Sequence, residues 1–294
     1  MGALPILAEL PSGFLVVEDA RGVCVRRADI ADAFEASGFG LDAGRELSKS
    51  DLYGRRELRE LAVGDQRFVV RRYVHGGLLR WLTGERFRDP ERPFRELVLA
   101  AELAARGFRT PAVVAARSLS AGAGAWHLDV VSARVERSRD LGRVLAADLR
   151  GEVERGVRRR LFAAVGALIA RLHAHGFVHA DLTPRNLLAG EDEPTGEPWV
   201  LDLDRSTFVA ELDRERAADN LRRLHRHVVR LSTEGRARLS RTDLARFAKA
   251  YAPARAERRL LVHAILAGHR RSRGLHTTGW FLERHLGGRG ADAR

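Results

Sequence analysis

Two short segments in the second half of the chain carry side chains suited to metal-assisted phosphoryl transfer. One runs from His179 to Asn186 and contains Asp181, and the other is an apolar run that reaches Asp202. A carboxylate such as Asp181 can accept or orient the proton of an attacking hydroxyl. Asn186 can bind a metal through its amide oxygen, and Asp202 can bind the metal that bridges nucleotide phosphates. This set suits Mg²⁺, which prefers oxygen ligands and keeps several waters.

Each of these elements, taken alone, also has a purely structural explanation. Asp181 can cap a helix that has Pro184 at its first position, and Asp202 can simply end a strand. His179 is interpreted as structural rather than catalytic. The order and spacing of the residues, with strand-like apolar runs at 187–189 and 199–203, favour the phosphotransferase.

Composition narrows the classes of partner. The 294-residue chain has a net charge of +12, carried almost wholly by arginine, since Lys49 and Lys249 are its only lysines. This charge favours anionic partners such as nucleotide phosphates, acidic headgroups or nucleic acid. Cys24 is the only cysteine, which excludes an internal disulfide. The longest apolar stretch, 162–172, is too short to span a bilayer.

The pattern of apolar residues differs between the two halves. Strands are expected in the first half at 13–27 (a hairpin), 58–62, 67–74, 111–117 and 125–135. One helix is predicted there, at 93–106, ended by Gly107. Helices are expected in the second half at 141–148, 154–175, 213–232, 241–251 and 256–273.

This division predicts an α+β, two-lobed protein-kinase-like fold with a strand-rich N-lobe and a helical C-lobe. We place the N-lobe, on the nucleotide side, at residues 1–138. The C-lobe, with the catalytic and metal loops and the acceptor side, is placed at 139–286, and a frayed tail at 287–294. Nucleotide is expected in the crevice between the lobes.

The chain resembles the bacterial lipopolysaccharide kinases. The segments that carry the resemblance are VRRY at 70–73, GGL at 76–78, PFRE at 93–96, Gly107, Pro111, HAHGFVHADL at 173–182 and LDLDR at 201–205. The match runs from about residue 54 to about residue 205 and is most specific at the last two segments.

The resemblance implies ATP with Mg²⁺ as donor and, as acceptor, a sugar hydroxyl of 3-deoxy-D-manno-octulosonic acid (Kdo) on a lipid A precursor. It implies that Asp181 is the catalytic base and that Asn186 and Asp202 hold metal. It further implies that Glu96 lies on the helix of the small lobe and pairs with a cation on the adjacent strand.

That cation is Arg71 or Arg72, where protein kinases carry a lysine. Arginine binds phosphate through a planar fork, whereas lysine acts as a point charge. Alternation along a strand puts the two on opposite faces, and the resemblance favours Arg71 as the one in the cleft. Gly54, in the loop expected at 48–56, is the candidate for covering the phosphates. The signal is weak, because a loop with one glycine brings its backbone less close to phosphate.

Several alternatives stay open. Another small-molecule kinase, acting on a heptose or an aminoglycoside, fits the same core. A catalytically inactive, basic nucleic-acid-binding or scaffold protein fits the charge. However, it leaves the metal-binding residues unexplained, and no nucleic-acid motif is present, so no nucleic-acid partner is expected. Ala180 and the lack of an Ala-Pro-Glu after Asp202 argue against a protein kinase. Asp204 can bind a second metal or accept a hydrogen bond.

Two segments bear on location. Residues 78–82 and 279–284 mix aromatic, leucine and arginine side chains, a mixture typical of the membrane interface. Buried aromatics under a surface coat of arginine explain the same pattern. We expect a cytoplasmic enzyme, with the anionic cytoplasmic face of the bacterial inner membrane as a candidate docking surface.

Overall fold

The structure is a computed structural model that describes residues 4–41, 48–53, 57–75, 84–191 and 196–265. A seven-stranded antiparallel sheet dominates the first part of the chain. Its strands are β1 (Phe14–Asp19), β2 (Gly22–Arg27), β3 (Ser48–Tyr53), β4 (Glu57–Val63), β5 (Gln66–Arg72), β6 (Val113–Ser120) and β7 (Trp126–Ala133). They are ordered β1-β2-β6-β7-β5-β4-β3. The predicted strand-rich first part is confirmed.

Helices and two small sheets make up the second part, and two further helices pack against the large sheet. The small sheets contain β8 (Ser138–Asp140), β10 (Leu187–Gly190) and β11 (Trp199–Val200), and β9 (Phe177–Val178) with β12 (Thr207–Phe208). The helices are α1 (Ala31–Ala36), α2 (Arg92–Ala105), α3 (Leu141–Leu149), α4 (Arg155–Ala174), α5 (Arg214–Thr233), α6 (Arg241–Tyr251) and α7 (255–265). Short 3₁₀ turns occur at Pro5–Glu9, Ala28–Ile30 and Pro184–Asn186.

Helices cover part of each face of the large sheet. Phe34 of α1 packs edge-on against Phe39 and Phe68 on one face. On the other face, α2 buries Phe94 and Leu97 against the strands. Buried positions recur on α2 at helical spacing, which holds one side of this helix against the sheet. The same packing fixes the position of Glu96, the buried polar residue on this face of α2.

Close helix packing organises the second part. The apolar face predicted for α4 is buried, as expected, at Leu161, Val165, Leu168, Ile169 and Leu172. The adjacent Gly166 lies where α6 crosses, and a Cβ there would be 2.4 Å from the backbone oxygen of Phe247. Only glycine lets the two helix backbones approach this closely.

A second glycine forms the turn through which the chain reaches the candidate site. Gly176 follows α4 with φ +73°, and a Cβ there would be 2.1 Å from the backbone oxygen of Val209. The Val209 N–H donates to the Gly176 carbonyl at 2.9 Å. This turn leads α4 directly into β9 and so sets where the following segment begins.

Some expectations differ from the structure or fall outside it. Residues 48–53, expected as a loop, form strand β3, because Ser48 and Lys49 pair with β4. The apolar run at 199–203 is a strand only at Trp199–Val200. Gly54, the segments 78–82 and 279–284 and the tail 287–294 lie outside the described residues. Among the described helices, none has the length and apolar character needed to cross a membrane.

Candidate active site

The segment after β9 folds back on itself around Asp181. The Nδ2 atom of Asn186 donates to the backbone oxygen of Asp181 at 2.8 Å. This bond uses the amide nitrogen, so the Oδ1 oxygen of Asn186 is the atom that can bind a metal. The Asp181 carboxylate is partly exposed, and its Oδ1 accepts from Nη1 of Arg223 at 2.6 Å.

Asp202 lies beside this segment, immediately after β11. The Leu201 N–H donates to the Asn186 carbonyl at 2.9 Å, which joins the two segments by their backbones. Asp202 has φ +55°, in the left-handed region that Asp and Asn adopt more readily than most residues. Its Oδ1 lies 3.1 Å from Nη1 of Arg71 on β5, so the metal loop and the large sheet meet here.

Arg71 is held by a buried acceptor on α2. Its Nη2 donates to both carboxylate oxygens of Glu96 at 2.6 Å, and the Tyr73 hydroxyl donates to the same carboxylate. Burial lowers the pKa of Arg71, but the carboxylates of Glu96 and Asp202 outweigh it and raise that pKa well above its ordinary value. Arg71 therefore stays charged and is locked in orientation.

Arg72 points to the opposite face of the sheet. Its guanidinium donates to the buried Asp129 at 2.8 and 3.1 Å, and Arg117 donates to the same carboxylate at 2.8 Å. Burial raises the pKa of Asp129, but the two guanidinium groups outweigh it, so the net pKa is lowered. Of the two arginines considered from the sequence, the structure brings Arg71, and not Arg72, to Asp202.

A chain of hydrogen bonds between buried side chains holds the segment that contains Asp181. Nε2 of the buried His179 donates to the Leu201 carbonyl at 2.8 Å, while its Nδ1 accepts from the Asp181 N–H at 3.1 Å. Nδ2 of Asn220 on α5 donates to the His179 carbonyl at 2.6 Å. Behind it, His173 bonds Oδ1 of Asn220 through Nε2 at 3.0 Å. Because Nδ1 of His179 faces an N–H donor, the His179 imidazole has to be neutral for this chain to form.

This chain predicts how stability depends on pH. Burial lowers the pKa of both His173 and His179 below their ordinary value of 6.5. Below pH ~6.5 the unfolded chain takes up protons that the folded protein excludes, so acid favours unfolding. The free energy of unfolding should fall by up to about 1.4 kcal/mol per pH unit for each histidine as pH drops from ~6.5 to the folded pKa. Urea unfolding at a series of pH values measures this free energy.

The variants His179→Gln and His175→Gln separate this effect from other titrations. The first removes a buried imidazole and should make the dependence between pH 5 and 6.5 shallower. The second, at an exposed position, should keep the wild-type slope. If the free energy of unfolding depended on pH equally in both variants, His179 would not contribute to the acid destabilisation.

Asp204 is occupied by an ion pair with α2. Nε of Arg92 donates to its Oδ1 at 2.6 Å, and Nη2 contacts the other oxygen. Arg92 also lies over the Tyr73 ring, with Cζ 5.1 Å from the centroid. A cavity of about 470 Å³ adjoins this pair. Of the two roles that the sequence leaves open, the geometry favours hydrogen bonding for Asp204.

Sequence reasoning missed three residues that support the site, two on α5 and one on α2. Asn220, Arg223 and Arg92 are far in sequence from the residues they contact. One signal was available: Asn220 is a polar residue within the apolar stripe formed by Ala217, Leu221 and Leu224. A buried polar side chain in such a stripe needs a partner. The arginines gave no comparable signal, because the chain has so many.

The donor set fits a metal ion that is shared with a substrate. Within the described parts of the chain, no three or more His, Cys, Asp or Glu side chains group closely enough to hold a metal by themselves. Asp202 supplies one carboxylate and Asn186 one amide oxygen. Mg²⁺ is commonly bound by one or two protein oxygens together with phosphates and waters. The residues therefore fit a phosphate-bridging ion better than a fully protein-bound one.

Comparison with known sequences gives consistent matches. The profile of the Lipopolysaccharide kinase (Kdo/WaaP) family matches residues 46–251. A 3-deoxy-D-manno-octulosonic acid kinase of Xanthomonas euvesicatoria is 32% identical over 187 residues, 62% of this chain and 70% of the relative. The kinase of the same name from Xanthomonas oryzae is 31% identical over 211 residues, 70% of this chain and 78% of the relative. The resemblance inferred from the sequence is confirmed.

Comparison with solved structures agrees on the fold. The structure described as WaaP in complex with acyl carrier protein has a TM-score of 0.51 and 19% identity, covering 86% of this chain and 90% of that chain. Likeness at this identity concerns the fold alone. It confirms the expected α+β, kinase-like architecture.

Proposed function

The chain belongs to the lipopolysaccharide kinase (Kdo/WaaP) family, and we propose that it transfers the γ-phosphoryl group of ATP to a hydroxyl of Kdo on a lipid A precursor. It is a phosphotransferase with a sugar hydroxyl as acceptor. The named sugar follows from the relatives called 3-deoxy-D-manno-octulosonic acid kinase.

One observation supports the proposed position of the nucleotide. Arg71 is fixed by Glu96 and also reaches Asp202 at 3.1 Å. A guanidinium held by one buried carboxylate can offer its remaining N–H groups to a phosphate beside the metal loop. The triphosphate is therefore proposed to lie along Arg71 and Asp202, with Asp181 on the acceptor side.

The proposed reaction is an in-line transfer. Asp181 takes the proton of the acceptor hydroxyl as that oxygen bonds to the γ-phosphorus. The bond from the γ-phosphorus to the β–γ bridging oxygen breaks, and ADP leaves. Arg71 orients the phosphates, and Asp202 with Asn186 supplies oxygen ligands. A magnesium ion bound there would neutralise negative charge on the phosphates.

An acceptor panel tests the function. Purified protein is incubated with labelled ATP and Mg²⁺ together with one of four acceptors: Kdo-bearing lipid A precursor, heptosylated precursor, an aminoglycoside or a generic protein. We expect label on the Kdo-bearing precursor, lost when the metal is chelated. If the heptosylated precursor or the aminoglycoside were labelled in preference, that compound, and not Kdo, would be the acceptor.

Arg71 and Arg72 offer a matched pair on one strand. Arg71→Ala should raise the KM for ATP by about tenfold or more, because a charge-assisted contact to phosphate is lost. Arg72→Ala should leave the KM for ATP near that of wild type but lower stability, since it strips one partner from the buried Asp129. Steady-state kinetics and thermal unfolding measure the two effects. A KM for ATP that rises only in Arg72→Ala would move the phosphate contact to that residue.

We further place the enzyme at the cytoplasmic face of the bacterial inner membrane, because its proposed acceptor carries lipid. The net charge of +12 favours an anionic lipid surface. Co-sedimentation with anionic liposomes should weaken as salt rises. Equal binding to neutral and anionic liposomes would reject an electrostatic contribution.

A further inference from the structure

One face of α5 carries a row of cationic side chains that starts at the proposed catalytic base. Arg223 contacts Asp181 at 2.6 Å. Arg226 and His227 follow three and four residues later, which places them on the same helix face. Helical rise puts their backbones ~4.5 and ~6 Å further along the axis. The row therefore leads away from Asp181 by about the length of one sugar ring.

These side chains are less exposed than the arginine that follows them on the same face of α5. Arg223, Arg226 and His227 are all partly buried, whereas Arg230, the next arginine on this face, is exposed and pairs with Glu234 at 2.7 Å. Burial lowers the pKa of Arg226, and the positive charge of Arg223 lowers it further, which together outweigh the opposing effect of the Asp181 carboxylate. Burial also lowers the pKa of His227, although Asp181 partly offsets it. Positive charge is thus concentrated where its desolvation is costly, and an anion bound there would offset that cost.

The row lies on the acceptor side of the site. The proposed triphosphate position is at Arg71 and Asp202, on the side of the large sheet. Asp181 and α5 face the hydroxyl that is to be phosphorylated. A cation beside the base can bind the acceptor if the acceptor carries a negative charge close to the reacting hydroxyl.

We propose that Arg226 and His227, together with Arg223, bind the carboxylate of the sugar acid whose hydroxyl is phosphorylated. This inference rests on the proposed function. A sugar acid carries its carboxylate on the same ring as its hydroxyls, so an anion site one ring away from Asp181 selects sugar acids over neutral sugars. The contact positions the acceptor by charge-assisted hydrogen bonds, which are stronger and more directional than neutral ones.

The test compares two acceptors and two variants of the full-length enzyme. The acceptors are the Kdo-bearing lipid A precursor and the same precursor with the Kdo carboxylate converted to a carboxamide. The variants are Arg226→Gln and, as a control, Arg214→Gln, which removes the same charge from an exposed position near the start of α5. Acceptor kcat/KM and the KM for ATP are measured for each enzyme.

Wild type and Arg214→Gln should each lose about tenfold or more in acceptor kcat/KM when the carboxylate is neutralised. Arg226→Gln should lose a similar factor on the natural acceptor, mainly through acceptor KM, and little more on the carboxamide. Undiminished discrimination between the two acceptors in Arg226→Gln would overturn this inference while leaving the proposed function intact. A wild-type enzyme that phosphorylates neither Kdo-bearing acceptor would overturn both.

Discussion

Asp181→Asn should reduce sugar phosphorylation by between about a hundredfold and ten-thousandfold, the usual contribution of a general base. Asparagine has nearly the same shape but cannot accept the hydroxyl proton at neutral pH. The backbone contacts of this residue, to Asn186 and His179, do not involve its carboxylate and should persist. The loss should appear in kcat, measured with saturating ATP and acceptor, while ATP binding is retained.

The fold should survive this substitution. Asp181 and Arg223 are both partly exposed, and such an ion pair contributes little to stability. Asp213→Asn is the matched control: it makes the same change at the exposed N-cap of α5, where asparagine caps as well as aspartate. Its turnover should equal that of wild type. Turnover within tenfold of wild type in Asp181→Asn would assign the base to another residue.

Asp202→Asn should reduce turnover by about a thousandfold, because a metal that neutralises phosphate charge contributes several kcal/mol in the transition state. Asparagine is the informative replacement, since the φ of +55° suits it, whereas alanine there would add backbone strain. The effect should fall on metal dependence, with a higher Mg²⁺ concentration needed for half-maximal rate. Rates measured across a Mg²⁺ titration record both changes.

The variant Asp204→Asn tests whether Asp202, and not Asp204, is the carboxylate that binds the metal. Asp204 is paired with Arg92, so its loss should lower stability and leave the Mg²⁺ dependence near that of wild type. The reverse result, a shifted Mg²⁺ dependence in Asp204→Asn and a normal one in Asp202→Asn, would exchange their proposed roles.

The sequence was most informative where chemistry is local. Asp181 and Asn186 lie five residues apart, and a turn of that length closes on itself through one hydrogen bond. Gly176 and the α4 face that precedes it follow from local backbone geometry and helical periodicity. Strand alternation also established that Arg71 and Arg72 point to opposite faces. It did not establish which face looks toward Asp202.

Strand formation at 48–53 was missed because it depends on a partner. Ser48 and Lys49 are polar and carry no alternating apolar signal, and their strand exists through pairing with β4. The same reason explains why the apolar run at 199–203 stops being a strand at Val200. Only Trp199 and Val200 have a neighbouring strand with which to pair.

From the sequence alone came the α+β kinase-like architecture, the family and the order of the polar residues that can perform phosphoryl transfer. The family came from a resemblance in short motifs, and the architecture and the order of polar residues came from periodicity and spacing; all of these are properties of short stretches of chain. Only the tertiary structure decided that Tyr73 joins Glu96 in holding Arg71, that Asn220 supports His179, and that α5 brings Arg223 to Asp181. Those partners are separated by 23 to 42 residues, and packing of helices and strands, rather than local propensity, brings them into contact.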